Sequence, residues 1–433
     1  MHRETGAGAG TGEAIDSNGI AALLRAASEN DWREVRKLLL DGVDPSVPDY
    51  QGLTALHYAA IDGSAELART LLELGPAGLI FCESPGGETG LFYACSKGNL
   101  EVAKMLTEAC GEARPLKATK DGVSCLHIAC RQGHLEVAKS LIEAGGESLV
   151  NMIDKKGISC LCTACNDGHL EVAKFLIEAF GNALLLKTDT EGASCLHIAS
   201  HQGHLEVAKL LIEAGGNALL LKTYKDGRTC LHFACQQGHL EVATALIEAG
   251  GEDLLFKAGH DGTSCLFIAC QQGHLEVTKA LIAAGGEALL LMTVSDGRSC
   301  LFIACQKRHL AVAKALIAAG CEALLLKAER DGRSCLFIAC QEGHLDIAEA
   351  LTEAGGEALL LQTESVLGFS CLHAACSFGH VPIVDHLLSL PAGARLARLR
   401  DRAGRLPLAL AVALGRTGVA AAIRAATRRG GGR

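Results

Sequence analysis

Cys125 and Cys130, Cys230 and Cys235, and similar cysteine pairs stand five residues apart along the chain. In a helix, five residues rotate about 140° past a full turn. The two thiols of a pair therefore leave different faces and cannot close on one metal ion. The spacing is also unlike the Cys-x-x-Cys of a zinc knuckle. Cys160, Cys162 and Cys165 are denser, but no histidine stands beside them at ligand spacing. The expected role is that of small hydrophobes in a core, with no metal and no other cofactor.

The histidines fall in two rows. His57, His127, His197, His232 and His373 share one register position, and His134, His169, His204, His239, His274, His309, His344 and His380 share another. Phe92, Phe267, Phe302 and Phe337 replace the first row elsewhere, which a catalytic row would not tolerate. Both rows are expected to be structural. The chain has no Gly-x-x-x-x-Gly-Lys-Ser/Thr loop, no His-Glu-x-x-His and no Gly-x-Ser-x-Gly. The Gly-Gly pairs (Gly145-Gly146, Gly215-Gly216) end helices rather than open them, so they form no anion cradle. These residue types predict no enzyme.

The elements that carry them repeat. Glycines at 52, 87, 122, 157, 192, 227, 262, 297 and 332 are 35 residues apart, and Gly368 and Gly404 follow at 36. The Gly-His step at 133, 168, 203, 238 and 273 keeps the same period. In one unit, Ser194 reads as an N-cap, and Cys195 to Gln202 as a first helix. Gly203 reads as its left-handed end. Leu205 to Ala214 reads as a second helix with one apolar stripe. Gly215 is expected to end it, and Asn217 to Lys225 to form a connector. Helices this short are marginal alone, so neighbouring units must cover them.

The strings "GLTALHYAAIDGS" from Gly52, "GVSCLHIACRQGH" from Gly122 and "GRTCLHFACQQGH" from Gly227 resemble the ankyrin repeat, over residues 19–428. The resemblance implies an all-α repeat solenoid of stacked helix-turn-helix units with projecting loops or short β-hairpin fingers. It also implies that both histidine rows hydrogen-bond backbone and loops between units. About twelve units are expected, near 19–51, 52–86, 87–121, 122–156, 157–191, 192–226, 227–261, 262–296, 297–331, 332–367, 368–403 and 404–428. A flexible segment over 1–18 and a Gly/Arg tail over 429–433 flank them. Ser17 to Leu40 fits an amino-terminal cap.

Three departures stand out. The period is 35 rather than 33, with the added residues in the connector, where they either lengthen the finger or add a helical turn. Three consecutive leucines there call for burial. Cysteine replaces the usual first-helix proline at 125, 160, 195, 230, 265, 300, 335 and 371. Arg308 stands where other units place a left-handed glycine, at a cost of about 1 kcal/mol.

Charge narrows the partners. Pro391 to Arg433 holds ten arginines and one acid, which leaves the rest of the chain at −18. That acidic body disfavours nucleic acid and anionic membranes, and the Arg-rich end is the alternative attachment site for either. No apolar run spans a bilayer. With no export signal and many thiols, an intracellular, cytoplasmic protein is expected. The function expected is non-enzymatic: a monomeric scaffold or adaptor that binds a protein, of unknown identity, through finger tips and the concave face of the stack. Candidate contacts are the exposed positions that vary while the scaffold repeats: Lys120, Lys155, Tyr224, Arg228, His260, Arg298, Lys307, Arg308, Arg330 and Arg333. The arginines and Lys307 among them read as a basic patch for an acidic segment.

Overall fold

Each repeat begins at a hydroxyl that turns extended backbone into helix. Thr229, at φ −102° and ψ 172°, caps the helix Cys230–Gln237, and Ser194 caps Cys195–Gln202 in the same way. Where the third helical residue is histidine, its ring returns the bond. His232 Nδ1 accepts the Thr229 N–H at 3.1 Å, which closes a capping box. The helix then ends on a left-handed glycine, Gly238 at φ 80°. The next histidine, His239, precedes the second helix, Leu240–Leu255.

The computed structural model describes residues 17–111 and 117–430. Among them are twenty-seven α-helices and one 3-10 helix. The β pairing among them is confined to isolated antiparallel bridges, such as Ile153 with Ser159 and Thr293 with Ser299. First helices pack on first helices and second on second, as in a repeat stack. The chain divides into two compact segments, one ending at Thr190 and the other beginning at Glu191.

The first segment opens with helices Ser17–Ser28 and Trp32–Leu40. Leu23, Ala27 and Val35 are buried, while Arg33, Arg36 and Lys37 face outward. Residues 1–16 of the expected lead-in lie outside the described residues, and Ser17 and Asn18 already belong to the first helix. At the far end of the second segment, the last helix runs Thr417–Gly430. Arg429 and Gly430 therefore continue a helix rather than begin a tail, and 431–433 lie outside the described residues.

The added connector residues build a helical turn. The second helix breaks at the Gly-Gly pair and a further turn follows: within Leu240–Leu255, Gly251 is non-helical at φ 52°, ψ −147°, and one more helical turn forms beyond it. Leu205–Leu220 breaks in the same way at Gly216, so the second helix ends at Gly215 as expected and the connector begins with a helical turn. The bend falls in a backbone region that is essentially open only to glycine. The turn persists because it buries its leucines: Leu254 and Leu255 are 0% and 2% exposed, and Leu219 and Leu220 are 0% and 2%.

That turn leaves a carbonyl needing a donor, and the cysteine in the proline position supplies it. Cys230 Sγ donates to the Leu220 carbonyl at 3.6 Å, Cys265 to Leu255 at 3.5 Å and Cys335 to Leu325 at 3.3 Å. Burial pushes the pKa of Cys230 and of Cys335 up to about 12, so both thiols stay protonated and able to donate. The second cysteine of each pair is buried against the next repeat. Cys130 lies against Cys160, Cys235 against Cys265, and Cys340 against Cys371. All twenty are free thiols, and all but Cys82, Cys110 and Cys321 are buried.

Both histidine rows tie repeat to repeat. In the first row, Nε2 of His57, His127, His232 and His373 reaches the backbone carbonyls of Glu88, Ile158, Thr263 and Arg405 at 3.0 to 3.2 Å. In the second row, Nε2 of His169, His239, His274 and His309 reaches the carbonyls of Arg131, His201, Gln236 and Gln271 at 2.7 to 3.1 Å. A carbonyl only accepts, so each Nε2 carries the proton.

Candidate interaction groove

The turns between repeats are joined edge to edge. In the first segment, the backbone N–H groups of Lys120, Lys155 and Thr190 donate to the carbonyls of Gly86, Asp121 and Lys156, each at 3.0 Å. In the second segment, Lys225, His260, Ser295, Arg330 and Ser365 donate to Glu191, Asp226, Asp261, Asp296 and Asp331 at 2.7 to 2.9 Å. This ladder fixes the tip register. Lys225 occupies the position of His260 and Arg330, and Tyr224 stands one residue before it. The Tyr224 ring packs edge-on against Phe233 at 5.6 Å, and its hydroxyl lies 3.2 Å from Glu191 Oε2.

The candidate cations are largely neutralised by their own turns. Arg228 donates through Nε to Asp226 Oδ2 at 2.7 Å and through Nη1 to Gln236 Oε1 at 2.9 Å. Its guanidinium lies over the Phe233 ring, 5.0 Å from the centroid. Arg298 repeats the bond to Asp296 at 2.7 Å and lies over Phe267. Arg333 pairs with Glu329 and faces Asp331 at 3.9 Å. Arg308 faces Asp346 at 3.7 Å. Lys307 and Arg330 remain exposed, although Arg330 Nη2 donates to the Ser295 carbonyl at 2.9 Å. Four of the six cations expected to form a basic patch thus stand beside an acidic side chain. The two-residue Asp-Gly-Arg spacing was the visible signal for this.

In the second segment a cleft runs between the turns and the first-helix ends. One cavity of about 450 Å³ is lined by Asp226, Arg228, Gln236, His260, Asp261 and Thr263, with Ile268, Gln271 and Gln272 as its helix wall. A second, of about 250 Å³, shares Asp261, Thr263 and Gln271 and extends to Phe267, Ser295, Asp296 and Arg298. Arg228, His260 and Arg298 of the candidate set meet here. Asp226, Asp261, Gln271 and Asp296 were not singled out from the sequence, because an Asp-Gly step reads as turn chemistry and a glutamine at a helix end as solvated surface. Lys120 and Lys155 lie exposed in the first segment.

The Thr263 hydroxyl and backbone hold the Asp261 carboxyl below its usual range, so it is ionised at neutral pH. Carboxylates, amides and a ring histidine at one surface offer hydrogen bonds for recognition. Among the described residues, no group of three or more His, Cys, Asp or Glu could hold a metal ion. No helix among them is long and apolar enough to cross a membrane.

Comparison with known families agrees with this stack. The model for ankyrin repeats (3 copies) matches residues 6–81, 77–152, 126–222, 217–288 and 266–361, and that for a single ankyrin repeat matches 367–398. The chain is an ankyrin repeat protein. Ankyrin repeats are generally non-catalytic modules that mediate protein–protein interaction. Two curated relatives are similar over a short stretch: apoptosis-stimulating of p53 protein 2 from Homo sapiens and from Mus musculus, each 33% identical over 64 residues. That stretch is 15% of this chain, and this ankyrin protein spans 6% of the length of those relatives.

Proposed function

We propose that the chain is a non-enzymatic scaffold or adaptor, and that a segment of its protein partner lies in the cleft between the turns and first helices of Glu191–Arg433. The observation that carries this reading is the pair of contiguous cavities sharing Asp261, Thr263 and Gln271. They combine fixed backbone with side chains that differ from repeat to repeat. Rigid scaffolds carrying variable exposed positions are how one fold presents a specific surface. Lys307, at a first-helix end, and Arg330, at a turn, extend the contact within that segment, and Lys120 and Lys155 are candidate contacts of the first segment in their own right.

The Arg-rich end is the competing attachment point for nucleic acid or anionic membrane. Arg395 pairs with Glu357 and Arg405 with Asp401 at 2.7 Å, which lowers the charge available to it. Salt-dependent retention on heparin that is lost on truncation after Leu390 would favour that alternative.

The test is affinity capture with the full chain and two variants. Gln271→Trp fills the cleft from a half-exposed position. Glu248→Lys changes the second-helix side. The reading predicts partners lost from the first variant and kept by the second. The reverse pattern contradicts it.

A further inference from the structure

We infer that the cavity beside Thr263 receives an arginine side chain of the bound protein segment. This deepens the protein-binding reading and rests on it.

The chain supplies its own template. One repeat earlier, the Arg228 guanidinium is held by Asp226 Oδ2 at 2.7 Å and Gln236 Oε1 at 2.9 Å. Asp261 and Gln271 are the same two acceptors, each 35 residues on. The residue that would pair with them is Thr263, where neighbouring repeats carry Arg228, Arg298 and Arg333. Thr263 keeps the backbone half of the pattern: its N–H donates to Asp261 Oδ1 at 2.9 Å, as the Arg228 N–H does to Asp226 Oδ1 at 3.1 Å. It lacks the guanidinium, and the space is the 450 Å³ cavity.

Asp226, Asp296 and Asp331 all face an arginine within 4 Å, whereas Asp261 forms no ion pair among the described residues. Arg228 also lines the cavity, but it is committed to Asp226 and Gln236. An incoming guanidinium would meet a carboxylate and an amide oxygen, with Ile268 beneath it where Phe233 lies beneath Arg228. Its planar fork of donors matches two acceptors set apart, which the single ammonium of lysine does not. A partner glutamate or aspartate would face Asp261 instead.

Twelve-residue peptides selected from a random phage library on the full chain provide the probe, with affinities read by fluorescence anisotropy. The binders of interest are those displaced by Gln271→Trp. The expected result is that they share an arginine whose replacement by citrulline, uncharged and nearly isosteric, weakens binding tenfold or more. Thr263→Arg, which places the chain's own guanidinium on the two acceptors, and Asp261→Asn should each weaken it to a similar extent, with an unchanged urea midpoint showing that the fold is intact. Cleft-binding peptides that need no arginine, or that ignore Thr263→Arg, overturn the inference and leave the protein-binding reading standing. Peptides that all ignore Gln271→Trp count against both.

Discussion

The Cys230 thiol donates to the Leu220 carbonyl at 3.6 Å, and this bond joins two departures of the repeat that look unrelated in the sequence. The added residues of the connector form a helical turn, and a turn leaves carbonyls without partners. A proline at the start of the next helix has no donor. A buried cysteine held near pKa 12 does. Cys230→Ala removes the donor while keeping the helix start. The expected cost is about 1 to 2 kcal/mol, read from urea unfolding of the full chain. A variant as stable as the parent would mean that the cysteine only fills space.

Thiol reactivity follows from the same burial. Thiolates, not thiols, react with alkylating reagents; burial pushes Cys82, Cys95, Cys235 and Cys340 above the usual thiol range, and a hydrogen bond with Cys160, then burial, does the same for Cys130. Cys82, Cys110 and Cys321 are the partly exposed set. Native chain treated with iodoacetamide at neutral pH should therefore be modified at those three at most, by peptide mass spectrometry, and at all twenty after unfolding. Rapid native labelling of Cys235 or Cys270 would contradict the packing described.

Arg308 sits at φ 61°, where other repeats place glycine. At most of those glycines the next repeat's histidine comes so close that a Cβ would meet its ring: one added at Gly273 would lie 2.6 Å from His309 Nδ1. Next to Arg308, the His344 Nε2 contact to the Gln306 carbonyl stretches to 3.4 Å. Arg308→Gly relieves both the backbone and the contact, and should stabilise the chain by about 1 kcal/mol. The ion pair with Asp346 is exposed and at 3.7 Å, so its loss offsets little. A destabilised Arg308→Gly chain would show that the arginine holds the stack together.

The first histidine row sets an acid limit. Burial lowers His57, His127 and His373 below the usual histidine range and takes His232 down to about 4. The unfolded chain binds these protons near pH 6.5 and the folded chain only lower, so stability is full above 6.5 and falls as the pH drops toward 4. His232 alone accounts for a loss on the order of 3 kcal/mol by that point. Urea midpoints should be flat from pH 7 to 8 and drop steadily below 6.5. A His232→Phe chain, which takes the residue that Phe267 supplies one repeat on, should drop less. An equal drop in both would remove His232 from the account.

Repeat, helix pair, caps and histidine registers were all legible, because each is written in local spacing. The cysteine geometry was half legible. A five-residue step shows that Cys130 does not meet Cys125, but only the stacking of repeats shows that it meets Cys160. The Gly-Gly pair ends the second helix, as glycine usually does, and spacing left open whether a longer finger or a helical turn follows it. Here burial of Leu219 and Leu220 selects the helical turn beyond Gly216. At the groove, spacing identified which positions vary, including Arg228, His260 and Arg298. It did not show that Arg228 and Arg298 are spent on Asp226 and Asp296, since that depends on how the side chains fold back over Phe233 and Phe267. Tyr224 lay one residue out of register, a slip that the backbone ladder through Lys225 corrects.

Hydrogen exchange of the full chain with and without a captured partner tests the central claim most directly. Binding in the groove predicts slowed exchange at the turns around 223–229, 258–264 and 293–299 and at the first-helix ends near Gln236 and Gln271, with the second helices Leu240–Leu255 and Leu275–Leu290 unchanged. Slowed exchange confined to those second helices, or to the Arg-rich end beyond Pro391, would contradict it.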